Sequence, residues 1–131
     1  MSGPYLMGID FGTESVRVGI FTPEGVPVIF RTKSYGLSHP RPGWAEQSPD
    51  EWWEALGIAV RQALKDSQID PAAIAGIGTD TTSCTVVALD ENFRPLRPAI
   101  VWLDLRAAEQ SRRIAACGHP ALKYNGYGAV S

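Results

Sequence analysis

Three strand-like stretches fill the first 35 residues, then one long helical pattern intervenes before the next strand. Neighbouring strands joined by tight turns must run antiparallel. A strand reached through a helix can return parallel to its predecessors. The chain is therefore committed to a mixed sheet with helices packed on it, an α/β architecture rather than a simple βαβαβ winding. Tyr5-Leu6-Met7-Gly8-Ile9 is a short apolar run, and Ser15 to Phe21 alternates, with Val16, Val18 and Ile20 on one face. Asp10-Phe11-Gly12-Thr13-Glu14 reads as the hairpin turn between them, and Thr22-Pro23-Glu24-Gly25 as a second turn. The third strand, Val26 to Tyr35, contains Pro27, which places it at an edge or starts it after the proline.

Residues 36–47 read as a loop holding Pro40, Pro42, Gly43 and Trp44. Ser48-Pro49-Asp50-Glu51 then combines an N-cap, a proline at the first helical position and a capping-box glutamate. Trp52, Leu56, Ala59, Val60, Ala63 and Leu64 follow at helical spacing, so the helix should end near Ser67. Asp70-Pro71 predicts one short turn. Strands are expected at Ile74–Thr79, interrupted by Asp80-Thr81-Thr82-Ser83, then at Cys84–Leu89 and Ala99–Trp102. Asp104 is expected to cap a last helix that runs to Ala116, with Gly118 at C′ and Pro120 blocking continuation. The predicted order is β-β-β-α-β-β-β-α.

At 131 residues the chain has room for one ordinary domain. A net charge of −2 excludes a generic nucleic-acid binder, which would carry a basic stripe. No apolar run approaches the ~20 residues of a spanning helix, and no secretory signal pattern opens the chain, so the expected setting is cytoplasmic, with no membrane partner. Cys84 and Cys117 make neither a disulfide framework nor a four-ligand zinc site. No catalytic triad is visible around His39 or His119, and no G-x-x-x-x-G-K-[ST] loop exists. Gly76-Ile77-Gly78-Thr79-Asp80-Thr81 starts like a dinucleotide fingerprint, but a threonine stands at the third glycine position and a strand follows, which rejects that reading.

Residues 10–17 carry the sharpest chemical signal. A glycine-bearing hairpin followed by a hydroxyl can offer backbone N–H groups to phosphate oxygens, and Asp10 can hold Mg²⁺ directly or through water. Arg17 adds a cation. The same residues also suit a plain tight hairpin, with Gly12 at positive φ. The polar run Asp80-Thr81-Thr82-Ser83 can present hydroxyls and a carboxylate to a polyol, or simply form a polar turn or bulge. Trp102 and Asp104 can stack on and hydrogen-bond a sugar, or serve as a core tryptophan and a helix cap.

Four blocks taken in order resemble one family: Gly8 to Thr13, Gly43 to Trp53, Gly76 to Thr82 and Leu96 to Arg106. They resemble the N-terminal part of the FGGY-type carbohydrate kinases, of the sugar kinase–actin–Hsp70 superfamily. The resemblance implies part of an actin-like (ribonuclease H-like) ATPase domain, with ATP and Mg²⁺ as cofactors and a small sugar as substrate. It implies metal organisation by Asp10 and phosphate binding by Gly12, Thr13 and Arg17. It further implies sugar contacts from Thr81, Thr82, Trp102 and Asp104. Glycerol kinases carry an arginine-glutamate pair where Thr81-Thr82 stand, and xylulokinases a methionine-histidine pair. The local pattern looks more like ribulokinases, although Leu96 to Trp102 also looks like the xylulokinase pattern. A ketopentose kinase is expected, ribulose first, with xylulose or glycerol as alternative acceptors.

The family's general-base aspartate and its adenosine-binding part lie beyond the stretch these blocks cover. The chain thus reads as an incomplete N-terminal domain whose natural partner is the remaining kinase polypeptide, inactive alone. A non-catalytic remnant or interaction module is the second reading, and a homo-oligomer is left open.

Overall fold

The computed structural model describes residues 3–124, so the closing segment from Asn125 lies outside the described residues. Two compact units divide the chain: one comprises residues up to 37 and 48–83, the other residues 38–47 and the stretch from 84 onward.

The first unit is a four-stranded sheet with a helix on one face. β1 (Tyr5–Phe11), β2 (Ser15–Phe21) and β3 (Pro27–Ser34) form antiparallel neighbours, and β5 (Ile74–Thr81) lies parallel to β1, giving the order β3-β2-β1-β5. Pro27 begins the edge strand β3, where its missing N–H costs no ladder bond. α1 (Pro49–Ser67) starts as its sequence demands: the Ser48 side chain accepts from the Glu51 N–H, and Pro49 occupies the first turn. Its end is left-handed at Gln68, with φ 56°. Ala55, Ala59 and Ala63, one helical face four residues apart, are buried against Tyr5, Met7 and Ile9 of β1 and Val16, Val18 and Ile20 of β2. These small side chains let the helix approach the β-branched sheet closely, and that contact is the main core of the unit. Asp70 caps a short 3-10 turn, Pro71–Ala73, that leads into β5.

The second unit is built around a two-stranded ladder, β4 (Glu46–Gln47) with β6 (Ala99–Ile100), and α2 (Ala108–Ala116). Its buried apolar residues include Ala45, Ala99 and Val101. Gly118 takes φ 64° just after α2 ends, as its C′ role requires.

Several expectations need correction. The stretch 36–47 is not all loop, because Glu46–Gln47 pairs with β6 and Ser38 bridges to Glu46. β5 runs through Asp80 and Thr81 instead of stopping at Thr79, since both residues find register partners on β1. Cys84–Leu89 forms no strand, only isolated bridges from Val86 to Ile100 and from Leu89 to Pro95. The strand at Ala99 stops at Ile100, short of Trp102, and α2 begins at Ala108 without a side-chain cap, so Asp104 caps no helix. Among the described glycines, positive φ is found at Gly25, Gly43 and Gly118, and Gly12 is not one of them. The hairpin therefore owes its shape to something other than a left-handed glycine.

Candidate functional site

In the first unit, alternation along the strands decides which face each polar residue takes. Met7 and Ile9, with Val16 and Val18, point at α1, so Asp10 and Arg17 fall on the opposite face. They are cross-strand partners, and Arg17 Nη1 donates to Asp10 Oδ2 at 3.3 Å. Both side chains stay accessible, at 49% exposure for Asp10 and 57% for Arg17. On the other side of Asp10, parallel register sets Asp80 beside it on the same face. Asp80 Oδ1 accepts the Thr81 N–H at 2.9 Å. The next row holds Gly19, Gly8 and Gly78 side by side. A groove of about 460 Å³ runs over this row, lined by Asp10, Arg17, Asp80, Phe21 and Phe30 among others. Phe21 and Phe30 form its apolar rim, edge to face at 5.5 Å.

The turn between β1 and β2 is braced from within. The Gly12 N–H donates to the Ser15 carbonyl at 2.9 Å. Tyr35, just past β3, places its hydroxyl on the Gly12 carbonyl and, at 3.0 Å, on the Ser15 carbonyl. Burial and the nearby Asp10 charge push the Tyr35 hydroxyl above its ordinary pKa, so it remains a proton donor at neutral pH. Thr82 extends the β1–β5 ladder, its N–H reaching the Phe11 carbonyl at 3.1 Å. Gly12, Thr13, Thr81 and Thr82 thus sit at the carboxyl ends of two adjacent parallel strands, the place where open α/β sheets receive ligands. Tyr35 is an addition that the sequence did not assign, since it carries no local motif. Asp80, read in the sequence as a carboxylate for a polyol, is set beside Asp10 by strand register.

Trp102 and Asp104 belong to the second unit. Trp102 is 48% exposed. Asp104 is sealed, its side chain only 2% exposed, and both carboxylate oxygens are occupied. Oδ2 accepts from the Ala45 N–H and from Arg106 Nη2, each at 2.7 Å. Oδ1 accepts from the Arg106 N–H and from Arg106 Nε, each at 2.8 Å. The forked hydrogen bonds from Arg106 hold the Asp104 carboxyl well below the usual carboxylate range, against a burial that alone would raise it. Arg106 also reaches Glu46 Oε1 at 2.8 Å, and Glu46 takes a further bond from Arg97. The Arg106 guanidinium lies 3.7 Å from the centre of the Trp44 ring. Backbone bonds from Val101 to Ala45 and from Leu105 to Gly43 complete the join.

Among the described residues no group of three or more His, Cys, Asp or Glu could enclose a metal ion. No helix there is long and apolar enough to cross a membrane.

The mixed sheet with a helix on one face matches the actin-like α/β fold of sugar-kinase N-terminal domains, as comparison with known proteins shows. Residues 5–128 match the N-terminal domain of the FGGY family of carbohydrate kinases, so the chain belongs to that family. A glycerol kinase of Thermococcus gammatolerans is 34% identical over 110 residues, covering 84% of this chain and 22% of that protein. The crystal structure of a xyloylose kinase from Brucella ovis superposes with a TM-score of 0.85 at 30% identity, over 92% of this chain and 25% of the other. Plasmodium falciparum glycerol kinase, solved with ADP, gives 0.76 at 25% identity, over 89% of this chain and 24% of the other. The chain therefore spans about a quarter of the length of the proteins it matches.

Proposed function

We propose that this chain is an incomplete N-terminal domain of an ATP-dependent, cytoplasmic carbohydrate kinase that phosphorylates a small sugar or polyol, with a ketopentose, ribulose first, as the acceptor to test. One observation carries the reading: an accessible carboxylate, a braced glycine-threonine turn and a pair of threonines meet at the carboxyl ends of β1 and β5. Phosphoryl transfer asks a protein chiefly for such positioning and charge stabilisation.

The donor set suits magnesium, which favours carboxylate and water oxygens. Asp10 would hold the ion, with Asp80 beside it, and the ion when bound would neutralise charge on the phosphate oxygens. Gly12 and Thr13 would take phosphate oxygens through the turn. Arg17 can leave Asp10 at little cost, because exposed ion pairs are weak, and turn to the same anion. Thr81 and Thr82 would meet sugar hydroxyls. Trp102, which belongs to the second unit, is the ring that the family resemblance assigns to the C–H surface of a sugar. Asp104, its oxygens already taken by four N–H bonds, holds the loop that carries Trp102.

The names of the relatives, glycerol and xylulose kinases, support a polyol or ketose acceptor. Thr81-Thr82 is the feature that favours ribulose among these. Assay of the full-length kinase against ribulose, xylulose and glycerol tests the choice, and preference for either of the last two removes ribulose. Thr82→Val is expected to raise the sugar KM about tenfold with little change in kcat, because a buried sugar hydroxyl loses its partner. An unchanged KM moves the pocket elsewhere.

The general base and adenosine site belong to polypeptide this chain does not include, so the chain alone should show no turnover. Exposed Ile77 on β5 supports a second reading, an incomplete domain that acts only as an association module. Adding the remaining kinase polypeptide in trans separates the two: restored sugar phosphorylation supports a split kinase, and association without activity supports the module.

A further inference from the structure

We propose that Tyr35 is a positioning residue for the phosphate turn, holding the Gly12 and Ser15 carbonyls from the helix-covered side so that peptide N–H groups of the turn face the other way. The inference rests on reading residues 10–17 as a phosphate-binding turn.

The geometry follows from the planarity of the peptide. In a trans peptide the C=O and the following N–H point in opposite directions, and no cis bond is present among the described residues. Tyr35 Oη sits on the Gly12 carbonyl, so the Thr13 N–H is aimed away from Tyr35. The Tyr35 N–H donates to the Glu14 carbonyl at 3.1 Å, so the Ser15 N–H is likewise aimed away. One residue thus sets two peptide planes of the turn, Gly12–Thr13 and Glu14–Ser15. Gly12 contributes no left-handed φ to this shape, which leaves its own N–H bond to the Ser15 carbonyl and the carbonyl clamp to fix it.

Tyr35 is itself held by the start of α1. Its ring packs 6.4 Å from that of Trp52, tilted by 59°. The next residue, Gly36, donates its N–H to Glu51 Oε2 at 3.1 Å. The Glu51 carboxylate, expected from the sequence to close a capping box, instead anchors the segment that clamps the turn. The partly buried Tyr35 packs against the same core as Ala55 and Ala59, which puts it on the side of the sheet opposite Asp10 and Arg17. The Tyr35 ring thus lies on the helix-covered side of the sheet, and Asp10 and Arg17 of the candidate phosphate face lie on the other.

The test is steady-state kinetics of Tyr35→Phe in the full-length kinase that carries this segment, with Asp10→Asn beside it. Removing only the hydroxyl keeps the ring on Trp52, so the thermal midpoint should stay within about 5 °C. The expected result is a fall of about tenfold in kcat/KM for MgATP with the sugar KM within about twofold of wild type. Unaltered MgATP kinetics overturn the proposal, and so does a collapse of the thermal midpoint, which would make the hydroxyl a fold residue. If Asp10→Asn also leaves turnover untouched, the phosphate-turn reading itself fails. If Asp10→Asn is impaired and Tyr35→Phe is not, only the clamp is lost.

Discussion

Asp10→Ala in the full-length kinase is expected to lower kcat by at least about 10²-fold while the sugar KM changes little, a loss typical of removing one group that stabilises transition-state charge. The asymmetry follows from position. Asp10 lies beside the glycine-threonine turn on the open face of the sheet, whereas the threonines assigned to the sugar are the last residue of β5 and the one after it. Folding should be almost indifferent, because the Asp10 carboxylate pairs with the exposed Arg17 at 3.3 Å, and exposed pairs contribute little. A full kinetic comparison with a thermal melt checks both halves. Normal turnover takes Asp10 out of the metal role, and a large drop in thermal midpoint assigns it to the fold.

Arg106→Met is expected to act in the opposite way, with a loss of roughly 10 °C in thermal midpoint. The substitution keeps much of the stem that lies along Trp44 but removes the fork that satisfies Asp104 and Glu46. A nearly sealed carboxylate then has lost its cation, which costs far more than breaking a surface pair. Arg106→Lys should recover only part of the loss, since an ammonium cannot reproduce two parallel bonds. The pH dependence has a defined sign. A carboxyl whose pKa is depressed on folding stabilises the fold at every pH above its unfolded value, about 3.9, and that stabilisation drains away as pH falls below it. Melting between about pH 7 and pH 2 should show this acid limb in the wild type and a smaller one in Asp104→Asn. A variant melting like wild type at neutral pH would show that the network does not hold the unit.

What the sequence disclosed depended on how local each signal was. α1 was legible end to end because its cap, its proline and its apolar face lie within 20 consecutive residues. Edge placement of β3 followed from Pro27 alone. By contrast, alternation at Cys84–Leu89 looked like a strand, yet a strand needs a partner along its length, and only two bridges form. Asp104 looked like a cap because a helix pattern follows it, but its oxygens serve Ala45, 59 residues away. Tyr35 escaped notice, and the neighbourhood of Asp80 and Asp10 stayed hidden, for the same reason, since through-space bonds and register create them. The four blocks that carried the family resemblance pair two by two: residues 8–13 with 76–82, and residues 43–47 with 97–106.

That second pairing has a consequence for biosynthesis. The short strand at Glu46–Gln47 can bridge back to Ser38 at once, but its ladder mate Ala99–Ile100 is translated only later. At about 5–20 residues per second, the earlier piece emerges from the ribosome several seconds before its complement. Gln47, buried in the finished protein, and the apolar Ala45 near it spend that interval without their final cover. A nascent chain stalled between these two points should be a better substrate for chaperones and proteases than one released after residue 106.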